Sequence, residues 1–285
     1  MMKIGFYTST FNDRPAEEVI GFAKDAGFDA IELDVRGHIK TPENVAPVVA
    51  KAREAGLFVC SITHFGNQLD PDPAQRQALR TITGEFAQAV GDAGVPLLVI
   101  FPGRDRTSSE EDNYASFAAH VNQLIADTAA SGLQFAIENW PGPNDDFIGV
   151  TPEGWLKLFS LIPSNRFGLE FDPSHLIRLG IDPYAALDLV KDRVKILHGK
   201  DTSIDPERLQ AIGYHAKGWW RYRLPGSGLL DWPRFIAQAR DFGFDGTISI
   251  EHEDSDYGWP GKDLAARKEG ERKALAFLRG VIGSR

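Results

Sequence analysis

Eight short apolar runs recur along the chain, each rich in β-branched and aromatic residues and each followed by a stretch whose apolar positions repeat with helical spacing. The pattern predicts strands at Lys3 to Tyr7, Asp29 to Asp34, Leu57 to Thr63, Leu97 to Phe101, Leu133 to Glu138, Arg166 to Phe171, Val194 to His198 and Thr247 to Glu251. Runs such as Leu97-Leu98-Val99-Ile100 are apolar on consecutive positions, which suits parallel strands covered on both faces. Gly27, Gly56, Gly94, Gly132 and Gly243 each stand between a helical stretch and the next strand, where a left-handed residue ends the helix. Thr41-Pro42, Thr151-Pro152 and Asp182-Pro183 pair a capping side chain with proline at the first helical position.

Strand and helix alternating eight times describe an α/β protein closed as a (β/α)8 barrel, a TIM barrel. The expectation is one domain over residues 1–285, with an inserted loop around 202–230. An open doubly wound sheet shares the alternation, but Thr8-Ser9-Thr10-Phe11-Asn12 follows the first strand where such a sheet carries its Gly-rich phosphate loop.

Composition narrows the partners. The net charge of −9 disfavours a nucleic-acid partner. No run approaches the roughly 18 to 20 apolar residues that span a bilayer, so no membrane association is expected. Cys60 is the single cysteine, which excludes an internal disulfide. With no signal-peptide pattern at Met1 to Tyr7, a cytoplasmic protein is expected.

In a barrel, chemistry gathers at the carboxyl ends of the strands. Strands five to eight end in Glu138-Asn139-Trp140, Asp172-Pro173-Ser174-His175, His198-Gly199-Lys200-Asp201 and Glu251-His252-Glu253-Asp254. One carboxylate at a strand end is ordinarily a helix cap or a solvated charge. Capping does not explain three carboxylates and an imidazole on four successive strands. Such an oxygen and nitrogen set suits one divalent metal ion, Mn²⁺, Mg²⁺, Co²⁺ or Zn²⁺, with no thiolate preference.

The segments Ile137-Glu138-Asn139, Asp172-Pro173-Ser174-His175, His198-Gly199-Lys200-Asp201 and Ile250-Glu251-His252, with Met2-Lys3-Ile4-Gly5 and Gly27-Phe28-Asp29-Ala30-Ile31-Glu32-Leu33, resemble the sugar phosphate isomerase/epimerase superfamily. These xylose isomerase-like barrels include ketose 3-epimerases, inosose isomerases and dehydratases, hydroxypyruvate isomerases and AP endonucleases. The resemblance implies that Glu138, Asp172, His198 and Glu251 hold the metal, with Mn²⁺ the first expectation, and that His175 contacts substrate. It also implies that Glu138 and Glu251 serve as general base and acid on a keto-sugar or polyol, through an enediolate. The same parts support a lyase or dehydratase, if the enolate expels a leaving group from an inosose or a 3-keto-glycoside. No phosphate cradle is visible, so the substrate is expected to be nonphosphorylated.

The chain also departs from the ketose 3-epimerase pattern. Those enzymes carry an arginine shortly after the seventh-strand histidine, where Thr202-Ser203-Ile204 stands here. The insertion holds Gly218-Trp219-Trp220-Arg221-Tyr222-Arg223, read either as a sugar-stacking lid, with Arg221 and Arg223 as substrate contacts, or as a subunit interface. His64, Trp140 and Lys200 complete the candidate substrate contacts. Glu32 also stands where it could face the mouth, and His252 is expected to point away from it. An AP endonuclease would need three metals, and the remaining ligands are not visible. A non-catalytic metabolite-binding barrel is disfavoured by the intact ligand set. Relatives often assemble, which implies a homo-oligomer.

Overall fold

The computed structural model describes residues 2–261 and 263–283. At Gly27 the first helix, Ala16–Ala26, ends in a left-handed residue with φ of +85°, whose N–H bonds back to Ala23 and Lys24. The chain then runs straight into a strand, and the same positive φ recurs at Gly56, Gly94, Gly132 and Gly243. Thr151 and Asp182 cap their helices as expected, through the N–H groups of Gly154 and Tyr184. Thr41 makes no such bond. Proline after it opens only a short 3-10 turn, Pro42–Asn44, before the helix Val45–Glu54.

The barrel strands are β1 (Lys3–Phe6), β2 (Ala30–Asp34), β3 (Phe58–His64), β4 (Leu97–Ile100), β5 (Gln134–Glu138), β6 (Phe167–Phe171) and β7 (Val194–Gly199). Two further strands, β8 (Asp201–Ile204) and β9 (Trp220–Arg223), precede the last barrel strand, β10 (Thr247–Ile250). The eight barrel strands form one parallel sheet in the order β1-β10-β7-β6-β5-β4-β3-β2, with helices between them. The segment expected as an inserted loop is instead an antiparallel hairpin, in which Asp201 pairs with Arg223 and Thr202 with Tyr222. A short helix, Pro206–Ile212, lies between its strands. Asp201 anchors this hairpin. It is buried, and its carboxylate accepts bonds from the N–H groups of Thr202, Gly226, Gly228 and Leu230 and from the Trp232 indole.

Side chains on a strand alternate between faces, and here the two faces meet different cores. Ala30, Cys60, Leu97, Val99, Ala136 and Ile196 fill the barrel interior with small and medium side chains. The opposite faces join the helices in a larger layer, with Phe6, Phe11, Phe117, Phe135, Trp155, Phe167 and Trp232 among its buried members. Among the described residues, no helix is long and apolar enough to cross a membrane.

The ring closes between β1 and β2, where a single parallel bridge joins Tyr7 to Glu32. Gly5 makes that close approach feasible, since a Cβ there would lie 2.9 Å from the Ala30 carbonyl carbon and oxygen. Gly5→Ala should therefore force the seam apart and cost about 1–3 kcal/mol, the usual penalty for overpacking. Urea unfolding monitored by circular dichroism measures this, and unchanged stability would show that the seam is not tightly packed.

Candidate metal centre

The strand ends deliver their polar side chains by alternation. Ala136 and Glu138 share one face of β5, Ile196 and His198 one face of β7, and both pairs point into the barrel. Asp172 follows β6 directly and is the N-cap of the helix Pro173–Leu179. Its Oδ1 accepts the Ser174 N–H at 2.7 Å, which leaves Oδ2 for the centre. Asn139 ties the neighbouring strand ends together: its amide donates to the Asp172 carbonyl at 2.9 Å and accepts the Asp172 N–H at 2.8 Å.

The four side chains meet at one buried point. His198 Nδ1 lies 3.2 Å from Glu251 Oε2, 3.3 Å from Glu138 Oε1 and 3.7 Å from Asp172 Oδ2. One ligand atom from each lies within 4.8 Å of the others. His198 Nδ1 is buried and makes no hydrogen bond, and the buried Asp172 Oδ2 is answered by the Lys200 ammonium at 3.0 Å. A buried polar atom without a hydrogen bond is costly, and His198 Nδ1 faces a ring of carboxylate oxygens from Glu138, Asp172 and Glu251. The donor set, three carboxylates and an imidazole, fits a divalent cation.

Lys200 and His175 stand beside this point. The buried Lys200 ammonium lies 3.0 Å from Asp172 Oδ2 and 3.2 Å from Glu253 Oε2, and also bonds to Glu251. His175 Nε2 lies 3.1 Å from Glu138 Oε1, and its Nδ1 pairs with the Tyr222 hydroxyl at 2.7 Å. Tyr222 comes from the hairpin, and its ring lies 4.5 Å from the Lys200 ammonium.

Burial raises the pKa of a carboxylic acid, and its charged and hydrogen-bonding neighbours decide what remains. Burial pushes Glu138 up, but bonds to His175 and His198 overcome it and hold the carboxyl at about 2. Asp172 is likewise pushed up by burial and brought well below the ordinary range by Lys200 and His175. Burial opposes the charged forms of His198 and Lys200, yet both are raised well above their ordinary values, His198 by Glu170 and Glu251, Lys200 by Asp172 and Glu251. Glu253 rests at about 6, raised by burial against the pull of Lys200.

Above the cluster opens a cavity of about 460 Å³, lined by Glu138, His175, Lys200, Glu251 and Glu253 together with Phe65, Phe101, Trp140, Trp220, Tyr222 and Trp259. Arg36 and Arg178 also line it; Arg36 is paired with the buried Asp34 at 2.6 Å, and Arg178 lies over the Trp220 ring at 4.1 Å. A larger hollow of about 840 Å³ lies at the opposite end of the barrel, around Met2, Ile4, Arg240 and Arg279. That end of a TIM barrel serves stability, and the converging polar groups lie at the other.

Of the residues expected at the mouth, Trp140, His175 and Lys200 line the cavity, and three others lie elsewhere. Thr63 points inward, with its hydroxyl 2.5 Å from Glu32, so the next residue, His64, points outward by alternation and packs on Phe86 with ring centroids 4.8 Å apart. Arg221 is exposed and paired with Asp256 at 2.9 Å. Arg223 is held by Asp254 at 3.1 Å and Asp256 at 2.8 Å. His252 is turned away, with Nε2 3.2 Å from the Tyr257 carbonyl. The sequence places Tyr222 only within the aromatic insertion, as part of a lid or an interface, and marks no role for Glu253, Arg36 or Arg178. Glu253 was detectable, because it stands two residues beyond Glu251 and so shares its side; Tyr222 depends on the hairpin register, for which the sequence carries no signal.

This fold and this cluster define an α/β barrel built around a carboxylate and imidazole centre. A family profile described as xylose isomerase-like TIM barrel matches residues 20–281, and the chain belongs to that family. The uncharacterized protein YfiH of Bacillus subtilis is 23% identical over 297 residues, spanning 89% of this chain and 93% of its own. An inosose dehydratase of Lacticaseibacillus casei is 28% identical over 156 residues, covering 52% of this chain and 50% of that enzyme. The crystal structure of D-psicose 3-epimerase from Clostridium cellulolyticum H10 with D-tagatose has the same fold, with a TM-score of 0.74 at 17% identity over 99% of each chain.

The outward His64 yields a pH prediction. Burial holds its pKa at about 4, below the ordinary 6.5, and neither ring nitrogen has a hydrogen-bond partner. A histidine depressed in this way favours folding above its unfolded pKa, and that contribution is lost as pH falls from 6.5 through 4. His64→Leu should lose about 2–3 kcal/mol less stability than wild type between pH 7 and pH 4 in urea titrations. Equal losses in the two proteins would show that His64 is not neutral in the fold.

Proposed function

We propose that this chain is a divalent-metal-dependent sugar isomerase or epimerase acting on a nonphosphorylated keto-sugar or polyol. The observation that carries the reading is the convergence of Glu138 and Glu251 on His198 Nδ1, at 3.3 and 3.2 Å, at the floor of the aromatic cavity. A divalent cation held by Glu138, Asp172, His198 and Glu251 would supply Lewis-acid polarisation of a substrate carbonyl and a fixed template for its neighbouring hydroxyl.

The chain's own groups then have separable tasks. Glu138, kept ionised by His175 and His198, is available to accept a proton from carbon, and Glu251 to exchange one at the adjacent position. His175 and Lys200 line the same space with N–H groups that would orient substrate oxygens. The Tyr222 hydroxyl fixes the His175 ring through Nδ1 and leaves Nε2 directed at Glu138. Phe65, Phe101 and Trp140 pack together, with ring centroids 4.8 to 5.7 Å apart, and offer a rigid wall for the C–H face of a sugar.

A second reading, β-elimination by a lyase or dehydratase, draws on Glu253. This third carboxyl lines the cavity, and with a pKa of about 6 it could protonate a leaving hydroxyl near neutral pH. The kinship with an inosose dehydratase supports the same reading.

Incubation of the Mn²⁺-loaded protein in D₂O with ketoses, inososes and 3-keto-glycosides separates the two readings. Deuterium gained beside the carbonyl, with the mass otherwise unchanged, is expected of the isomerase; loss of water or of an aglycone would assign the lyase. Glu138→Gln and Glu251→Gln should each slow exchange by about 10²–10⁴-fold, the usual contribution of a positioned acid or base. Full exchange in either variant would contradict the two-glutamate mechanism.

A further inference from the structure

Beneath the cluster lies a second group of buried carboxylates. Glu32 and Glu170 point into the barrel from β2 and β6 and flank the far side of the His198 ring. His198 Nε2 is 3.3 Å from Glu32 Oε2 and 3.1 Å from Glu170 Oε1. Only the Glu32 contact has the geometry of a hydrogen bond; Glu170 Oε1 has no hydrogen-bond partner despite its proximity. Glu32 is itself fixed. The Thr63 hydroxyl donates to its Oε1 at 2.5 Å, and its backbone forms the barrel-closing bridge with Tyr7. The Tyr7 ring in turn stacks on His198, with centroids 6.1 Å apart and planes inclined by 26°.

A neutral imidazole carries one N–H, and the nitrogen that bears it cannot ligate a metal. On His198 the choice matters, since Nδ1 faces Glu138, Asp172 and Glu251 while Nε2 faces Glu32 and Glu170. We propose that Glu32 is the positioning residue of the metal centre: it accepts the Nε2–H of His198, which fixes the tautomer and turns the Nδ1 lone pair toward the cation. Thr63 holds Glu32 in place, so the chain Thr63–Glu32–His198 reaches from the interior of the barrel to the ion. A carboxylate that accepts the second N–H of a metal-bound histidine also raises the basicity of the ligating nitrogen. Glu32, Glu170 and His198 could alternatively ring a second ion at Nε2. With both sites filled the imidazole would have to surrender its only proton and bridge two cations, whereas the bond to Glu32 requires no such ionisation.

The inference rests on the metal centre proposed above, and the experiment separates the two. Protein labelled with ¹⁵N-histidine is titrated with Zn²⁺ alone, a diamagnetic probe; stoichiometry and affinity are read by chelator competition and the tautomer by long-range ¹H–¹⁵N NMR. The expected result is one Zn²⁺ per chain, bound at His198 Nδ1, with a proton on Nε2. Glu32→Gln, which removes the charge and keeps the size, should weaken Zn²⁺ binding about 10–100-fold, and Thr63→Val should weaken it less. A proton on Nδ1, two ions per chain, or wild-type affinity in Glu32→Gln would overturn the positioning role and leave the metal centre standing. No Zn²⁺ binding by wild type would overturn the metal centre and this role with it. Should Glu32→Gln not fold, the wild-type spectrum and Thr63→Val still decide, because a purely structural role would leave the tautomer and the affinity of folded Thr63→Val unmoved.

Discussion

The throat of this barrel gathers more negative charge than its own cations answer. Glu32, Glu138, Glu170, Asp172, Glu251 and Glu253 converge there, facing Lys200, His198 and His175. Buried carboxylates repel one another strongly, because burial removes much of the screening that bulk solvent gives. The response is visible in their titration. Burial and the charge of Glu32 drive Glu170 well above the ordinary carboxylate range, while Glu138 and Asp172 stay ionised through bonds to imidazole and ammonium. A site arranged in this way costs stability unless it gains further positive charge, which a divalent cation between His198 Nδ1 and the carboxylates around it would supply.

The surrounding fold is organised to hold that charge in place. Consecutive inward positions along each strand stack the interior in tiers: Ala136 beneath Glu138, Ile196 beneath His198, Ala30 beneath Glu32. The apolar tier is a floor that no water needs to enter, the carboxylate tier stands on it, and the aromatic cavity opens above. Two connections complete the site from outside the barrel sheet. Asn139 locks the ends of β5 and β6, and the hairpin anchored on Asp201 lowers Tyr222 onto His175 and Lys200. A loop with no fixed register would not position a phenol at hydrogen-bond distance from an imidazole.

Much of this was legible in the sequence, for reasons tied to particular residues. Glu138, Asp172, His198 and Glu251 end apolar runs, so the end of each run points to the rim and to the residue on it. Glu170 was harder to read because it is a single polar residue inside an apolar strand, and Glu32, legible as a residue that could face the mouth, gives no sign in the sequence that it meets the His198 ring. Period-two counting recovers part of this: Glu170 precedes Asp172 by two, Lys200 follows His198 by two, and Glu253 follows Glu251 by two. The same count turns His64 away from the mouth once Thr63 is known to face Glu32. The tryptophan and arginine insertion resisted reading because its pairing partners lie some twenty residues apart in the chain. The register then decided that Tyr222 enters the cavity while Arg221 and Arg223 pair with Asp256 and Asp254.

The proposed chemistry requires one divalent cation among Glu138, Asp172, His198 and Glu251. The most direct measurement is anomalous X-ray diffraction at the manganese edge from crystals of the protein grown with Mn²⁺. A single strong peak coordinated by His198 Nδ1 and by oxygens of all three carboxylates is expected, with Lys200 displaced from one or more of its carboxylate partners. No anomalous density at this point, with the four side chains positioned as described and Lys200 still bonded to Asp172 and Glu251, would contradict it.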